Sequence, residues 1–181
     1  MRQLMILVCL LLKSLIEEEH KLVCHKGYIS IFPMLLGLVP ADSPHLGALL
    51  DMISDPSHIW SEYGLRSLSK SDGYYSTGEN YWRGPIWVNM NYLALSSLQK
   101  VFALLTLLTQ NYVSVPGPFR QKAKKVYTEL RNNVVENVVK EWERTGFTWE
   151  QYDQETGEGR RSHPFDGWTG ACALLIAAEV Y

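Results

Sequence analysis

One apolar stripe limits most narrowly what this chain can fold into. Phe119, Ala123, Val126, Tyr127, Leu130, Val134 and Val138 recur at three- and four-residue spacing, while Lys122, Lys125, Glu129, Arg131 and Glu136 lie largely off that line. This is the period of a long helix with one face turned inward. Val115-Pro116-Gly117-Pro118 breaks the chain before it. Thr145-Gly146 ends it, with glycine supplying the left-handed turn. The rest of the chain offers more helices to cover that face. Ile31 to Val39 is apolar and predicts a helix stopping at Pro40. Asp42 or Ser43 can cap the next, with Pro44 in its first turn and Leu46, Leu49, Leu50 and Ile53 on its apolar side. It should stop near Asp55-Pro56. Gly64 to Asn80 is polar and turn-rich, a long surface loop. Pro85 is expected to open a helix carrying Ile86, Val88, Met90, Leu93, Ala94 and Leu98. Val101 to Leu108 either extends it or fills an insertion. After a loop from Trp149 to Pro164, a final helix from Trp168 to Glu179 is almost wholly apolar, which predicts an inner, buried position. No segment alternates with period two. The fold class expected is all-α: helix pairs joined by polar loops. A helical toroid with a pocket at one end suits this pattern, and an α-solenoid fits the helices equally well.

A chain of 181 residues can bury one real core, and its 46% hydrophobic and 20% charged residues are those of an ordinary globular domain. The net charge of -2 provides no general pull toward nucleic acid or an anionic membrane. A neutral, polar partner such as a sugar is compatible with it. Cys9, Cys24 and Cys172 are widely spaced and allow at most one disulfide, so free buried thiols are expected. No cofactor or metal site is evident, because the five histidines are scattered. Residues 1–22 stand apart from 23–181. Arg2 precedes an apolar run from Leu4 to Leu12, which is signal-like and too short to span a bilayer as a helix. A buried or amphipathic helix, or a Met1 that is not the natural start, are the other readings.

Two loops carry the chemistry. Tyr81-Trp82-Arg83-Gly84-Pro85-Ile86-Trp87 sets a permanent cation among three aromatics. It reads as the floor of a pocket or, equally, as a helix-start loop in which Arg83 pairs with a carboxylate. In Phe147-Thr148-Trp149-Glu150-Gln151-Tyr152, a carboxylate follows a helix end between aromatics. Desolvation there would raise its pKa, and hydrogen bonds from Gln151 and Tyr152 would orient it, a setting that suits a general base. A salt-bridged surface glutamate is the plainer reading of Glu150. Asp153, Glu155 and Glu158 lie near it among Gly157, Gly159, Arg160 and Arg161, which read as a solvated turn.

These loops resemble motifs of the α-glucosidases of glycoside hydrolase family 63. The resemblance rests on Tyr81 to Leu95 (YWRGPIWVNMNYLAL), Gly146 to Asp153 (GFTWEQYD) and His163 to Gly170 (HPFDGWTG), in the order found at the end of those enzymes. Gly27 to Ser54 and His58 to Lys70 also resemble them. Together these motifs cover most of Gly27 to Tyr181, apart from Val101 to about Tyr112. Related toroidal glycosidases such as trehalases share loops like Tyr-Trp-Arg-Gly-Pro, but not the other two stretches. The resemblance implies roughly the last half of an (α/α)6 toroid. It implies inverting removal of the terminal α-1,2-linked glucose from an N-glycan precursor, in the endoplasmic reticulum lumen. It makes Glu150 the catalytic base. Tyr81, Trp82, Arg83 and Trp87 would contribute to the glucose pocket, with Tyr152 and Trp168 as near-site packing or sugar contacts. The family's general acid, an aspartate, lies further upstream of the Trp-Glu-Gln-Tyr motif than the whole sequence before Glu150. The chain alone is therefore expected to lack activity, and its partner would be the missing N-terminal half of the enzyme. Any membrane association would come only from a missing or N-terminal anchor. Residues 1–22 and 101–110 depart from the family pattern. The competing expectation is a non-catalytic helical glycan-binding or scaffold module derived from a glycosidase.

Overall fold

The computed structural model describes residues 24–99 and 112–181. The apolar segments at 1–22 and 101–110 lie outside the described residues. Among the described residues five helices follow in order: α1 (Tyr28–Leu35), α2 (Pro44–Ile53), α3 (Val88–Leu98), α4 (Arg120–Thr145) and α5 (Trp168–Ala177). Two small antiparallel hairpins interrupt them. One pairs β1 (Trp60–Ser61) with β2 (Gly64–Leu65), and the other pairs β3 (Gln151–Tyr152) with β4 (Gly159–Arg160). The structure is mostly helical, as the periodicity requires; β2 and the second hairpin fall in stretches that read from the sequence as loop.

The stripe on α4 does what its spacing demands. Ala123, Val126, Tyr127, Leu130, Val134 and Val138 are all buried, and α4 packs against α2, α3, α5 and β2. Gly146 closes the helix at φ 77°, its N–H bonded to the Trp142 carbonyl at 2.7 Å. At α2, the Ser43 hydroxyl accepts from the His45 N–H at 3.2 Å, with Pro44 at the first helical position.

The molecule departs from the sequence expectations at four places. The first helix ends at Leu35 and not at Val39, because Gly37 turns left-handed at φ 68° and Pro40 is reached only after the chain has left the helix. Pro85 and Ile86 do not open α3, which begins at Val88. Ile86 is extended instead, exchanging two hydrogen bonds with Tyr152, N–H to carbonyl, at 2.8 and 3.0 Å, and bridging Arg66 on its other side. The final helix is not wholly buried in this chain: only Thr169 and Ile176 are buried, and Leu174 is 73% exposed. Free thiols are expected from the cysteine spacing, but Cys24 is disulfide-bonded while Cys172 is free and half-buried.

A buried polar knot fixes the loop that leads to α3. The Asn91 side chain accepts from the Leu65 N–H at 2.7 Å and donates to the Leu65 and Trp87 carbonyls at 3.3 and 2.9 Å. The Tyr28 hydroxyl donates to the Leu65 carbonyl at 2.6 Å and accepts from the Trp87 N–H at 3.2 Å. Complete burial raises the Tyr28 pKa, against the lowering effect of the Trp87 and Asn91 donors, so it stays a neutral hydroxyl. Because every one of these groups has partners, the knot holds α1, β2 and α3 in one register without leaving a buried orphan.

Candidate active site

Glu150 sits directly before β3, between the end of α4 and the second hairpin. Its backbone N–H donates to the Ser162 carbonyl at 3.0 Å. Its carbonyl accepts from the Trp168 indole N–H at 3.1 Å, and the Thr169 hydroxyl donates to the neighbouring Trp149 carbonyl at 2.6 Å. The main chain at Glu150 is thus tied to the 161–163 turn and to the start of α5. The residue is 9% exposed. One carboxylate oxygen accepts from the Tyr81 hydroxyl, and the other from the Ser162 N–H at 3.4 Å.

This arrangement changes two expectations. Burial raises the Glu150 pKa, as the aromatic surroundings suggest. The Tyr81 hydroxyl, Ser162 and the Arg161 charge oppose it and leave the carboxyl below its ordinary value. The donors also differ from those expected. Gln151 is fully buried, with no partner for its side-chain amide among the described residues, and Tyr152 is fully buried with its pKa pushed up to about 12, mainly by burial. Both side chains lie in the interior, and the orientation of Glu150 comes from Tyr81 and Ser162.

The aromatics of the first loop gather beside the carboxylate. Trp82 stacks on Trp87 with ring centres 3.8 Å apart and planes 5° apart. Tyr81 meets Trp87 edge-on at 4.8 Å, and Trp168 lies 5.8 Å from Trp87. Trp87 is buried, its indole N–H donating to the Tyr81 carbonyl at 3.2 Å, while Trp82 is 50% exposed. So Trp87 supports, and Trp82 presents a face. On the far side, Trp149 is covered by the His163 ring at 3.8 Å.

Arg83 is held by neutral groups rather than by a carboxylate. It donates to the Thr77 carbonyl and hydroxyl at 3.1 and 3.2 Å and lies 5.4 Å over the Tyr74 ring. The cation that acts on Glu150 is Arg161, placed 5.2 Å over the Tyr81 ring and paired with Glu79. In the sequence Arg161 reads as part of a solvated turn, and no local pattern marks Glu79 or Ser162. The pairing of Arg161 with Glu79 spans 82 residues, and that of Ser162 with Glu150 spans 12.

Behind the site, Glu141 on α4 anchors the second hairpin. Its carboxylate accepts from the Gly159 N–H at 2.8 Å and from Arg144 at 2.6 and 2.8 Å. The Arg144 hydrogen bond is the largest influence and, with Gly159, keeps Glu141 below its ordinary value despite burial.

A helical domain whose loops set a carboxylate beside stacked aromatics suits the class of glycoside hydrolases, and the family match gives that class. The chain belongs to glycosyl hydrolase family 63, matching the model of its C-terminal domain over residues 8–179. It is 56% identical over 159 residues to a probable mannosyl-oligosaccharide glucosidase of Schizosaccharomyces pombe, covering 88% of this chain and 18% of that protein. It is 45% identical over 174 residues to the mannosyl-oligosaccharide glucosidase GCS1 of Arabidopsis thaliana, covering 93% and 19%. The chain therefore spans about a fifth of the length of these relatives. Among solved structures it resembles a family 63 mannosylglycerate hydrolase from Thermus thermophilus in complex with glucose. The TM-score is 0.57 at 20% identity, over 88% of this chain and 30% of that one. That likeness bears on the fold alone.

Proposed function

We propose that this chain is the base-bearing C-terminal part of an inverting exo-α-glucosidase. Its substrate would be the terminal α-1,2-linked glucose of an N-glycan precursor, in the endoplasmic reticulum lumen. The observation that carries the reading is the Glu150 carboxylate, held ionised by the Tyr81 hydroxyl and the Ser162 N–H beside an exposed Trp82 face. The names of the yeast and plant relatives support the substrate class. In this role Glu150 removes a proton from the water that attacks the anomeric carbon. A second carboxylate, roughly 6.5–9.5 Å away, protonates the leaving oxygen. That acid would come from the preceding portion of the enzyme, which would complete an (α/α)6 toroid and cover the exposed apolar residues of α5. Trp82 would stack on the glucose ring, and Tyr81 would share a hydroxyl between the base and the sugar. Arg83 would act from the pocket rim. Trp87, Tyr152 and Trp168 would hold these groups from behind.

Alone, the chain would lack the acid and would not hydrolyse glucosides. Replacing the corresponding segment of the fission-yeast relative with residues 24–181 gives an enzyme in which to test the base. Glu150→Gln should lower glucose release by about 10²–10⁴-fold, the range general-base catalysis supplies, with KM little changed. Unchanged kcat in the graft carrying Glu150→Gln would remove Glu150 from the role.

A further inference from the structure

The second loop contains a non-glycine residue in the left-handed region: Arg161, at φ 69°. Few side chains adopt this conformation without a compensating contact. Here the turn does two things at once. It directs the Ser162 N–H to one Glu150 oxygen while the Ser162 carbonyl takes the Glu150 N–H. It also sends the Arg161 guanidinium back over the Tyr81 ring at 5.2 Å, where Glu79 holds its far end. Tyr81 in turn donates its hydroxyl to the other Glu150 oxygen. Glu79, Arg161, Tyr81 and Glu150 thus form a line joining two loops, the Glu79–Arg161 pair alone spanning 82 residues of sequence.

We propose that Arg161 is a positioning residue for Glu150, clamping the Tyr81 ring from above and fixing the hydroxyl that holds the carboxylate. The proposal rests on the reading of Glu150 as the base. A guanidinium over an aromatic face is attracted to the ring, and it suits a flat clamp better than an ammonium does. Glu79 sets the clamp's position from the first loop, so the two loops close on each other through this pair. The titratable groups acting on Glu150 among the described residues are Tyr81 and Arg161. Arg161 lowers Glu150 and Tyr81 alike, and its removal should let both rise.

The test separates guanidinium from backbone. Arg161→Gly keeps the left-handed turn and removes the clamp; Arg161→Gln removes the charge and keeps a side chain; Arg161→Lys keeps the charge. The full 181-residue chain, labelled with ¹³C at the glutamate carboxyls, is titrated by NMR. Glu150→Gln identifies the signal, and an amide spectrum confirms the fold of each variant. The expected result is an upward shift of the Glu150 titration in the Gly and Gln variants and a smaller upward shift in the Lys variant, whose ammonium keeps the charge but not the flat clamp. A Gly variant that titrates like the parent would overturn the proposal, because the turn alone would then suffice. So would a Lys variant that titrates like the parent, because the charge alone would then suffice. This readout requires no hydrolysis. In the grafted enzyme, the acid limb of kcat/KM should move to higher pH in Arg161→Gly. An NMR shift without that movement would leave the clamp standing and remove Glu150 from the role of base.

Discussion

At Glu150 the deciding quantity is the balance between desolvation and donated hydrogen bonds. Burial alone would favour the protonated acid, but two donors and a nearby cation outweigh it. The hydroxyl of Tyr81 is the first of these donors, which makes Tyr81→Phe a clean deletion. It should destabilise the chain by about 1.5 kcal/mol at neutral pH, the lower end for a hydrogen bond to a charged group. The sign of its pH dependence follows from a carboxyl lowered in the folded state. The stabilisation is complete above the unfolded glutamate value and disappears as pH falls through the folded one. Urea denaturation of parent and variant at pH 7 and again near pH 3 should therefore show a gap that closes in acid. A gap of equal size at both pH values would mean that the hydroxyl does not favour the charged form. The same residue shows the reach of sequence reading. Glu150 and Tyr81 are legible through motif resemblance. Arg161 is not, because its role depends on a backbone angle and on Glu79 in a distant loop.

Among the elements, most local signals are legible and long-range ones are hidden. The α4 stripe and the Ser43 cap need only neighbours within a few residues, so the sequence displays them. Ile86 has the apolar character of a helix residue, yet pairing with Tyr152 across 66 positions keeps it extended. Gly37 ends α1 early for a local reason that the apolar run conceals. The second hairpin depends on α4 through Glu141, a buried carboxylate reached by the Gly159 N–H. Glu141→Ala should cost about 1.5–3 kcal/mol, because it removes a charged acceptor and leaves a backbone donor with no partner. Hydrogen exchange at Gly159 and its strand neighbours should accelerate more than exchange in the middle of α4. Uniform acceleration would show a global loss of stability in place of a freed hairpin.

For the molecule as a whole, the apolar composition of α5 and its exposure do not match. Leu174 is 73% exposed, and Val180, just beyond the helix, is 41% exposed. The sequence is right about the character of this helix and wrong about its burial in the present chain, since what covers a face is a property of everything folded with it. Large exposed apolar surface promotes association. Leu174→Ser should leave the unfolding free energy within about 0.5 kcal/mol, as for most surface changes. It should also lower binding of an apolar dye and raise the solubility limit. A loss of several kcal/mol would show instead that Leu174 is part of the chain's own core.

The hydrogen bond between Tyr81 and Glu150 also sets a timetable. Its two ends are 69 residues apart, and α4, the longest of the five described helices, lies between them. At synthesis rates of about 5–20 residues per second, Tyr81 leaves the ribosome roughly 3–14 s before the carboxylate it is to hold. During that interval the aromatic loop exists without its anion, and the residues that complete it, from Glu150 to Trp168, are made only afterwards.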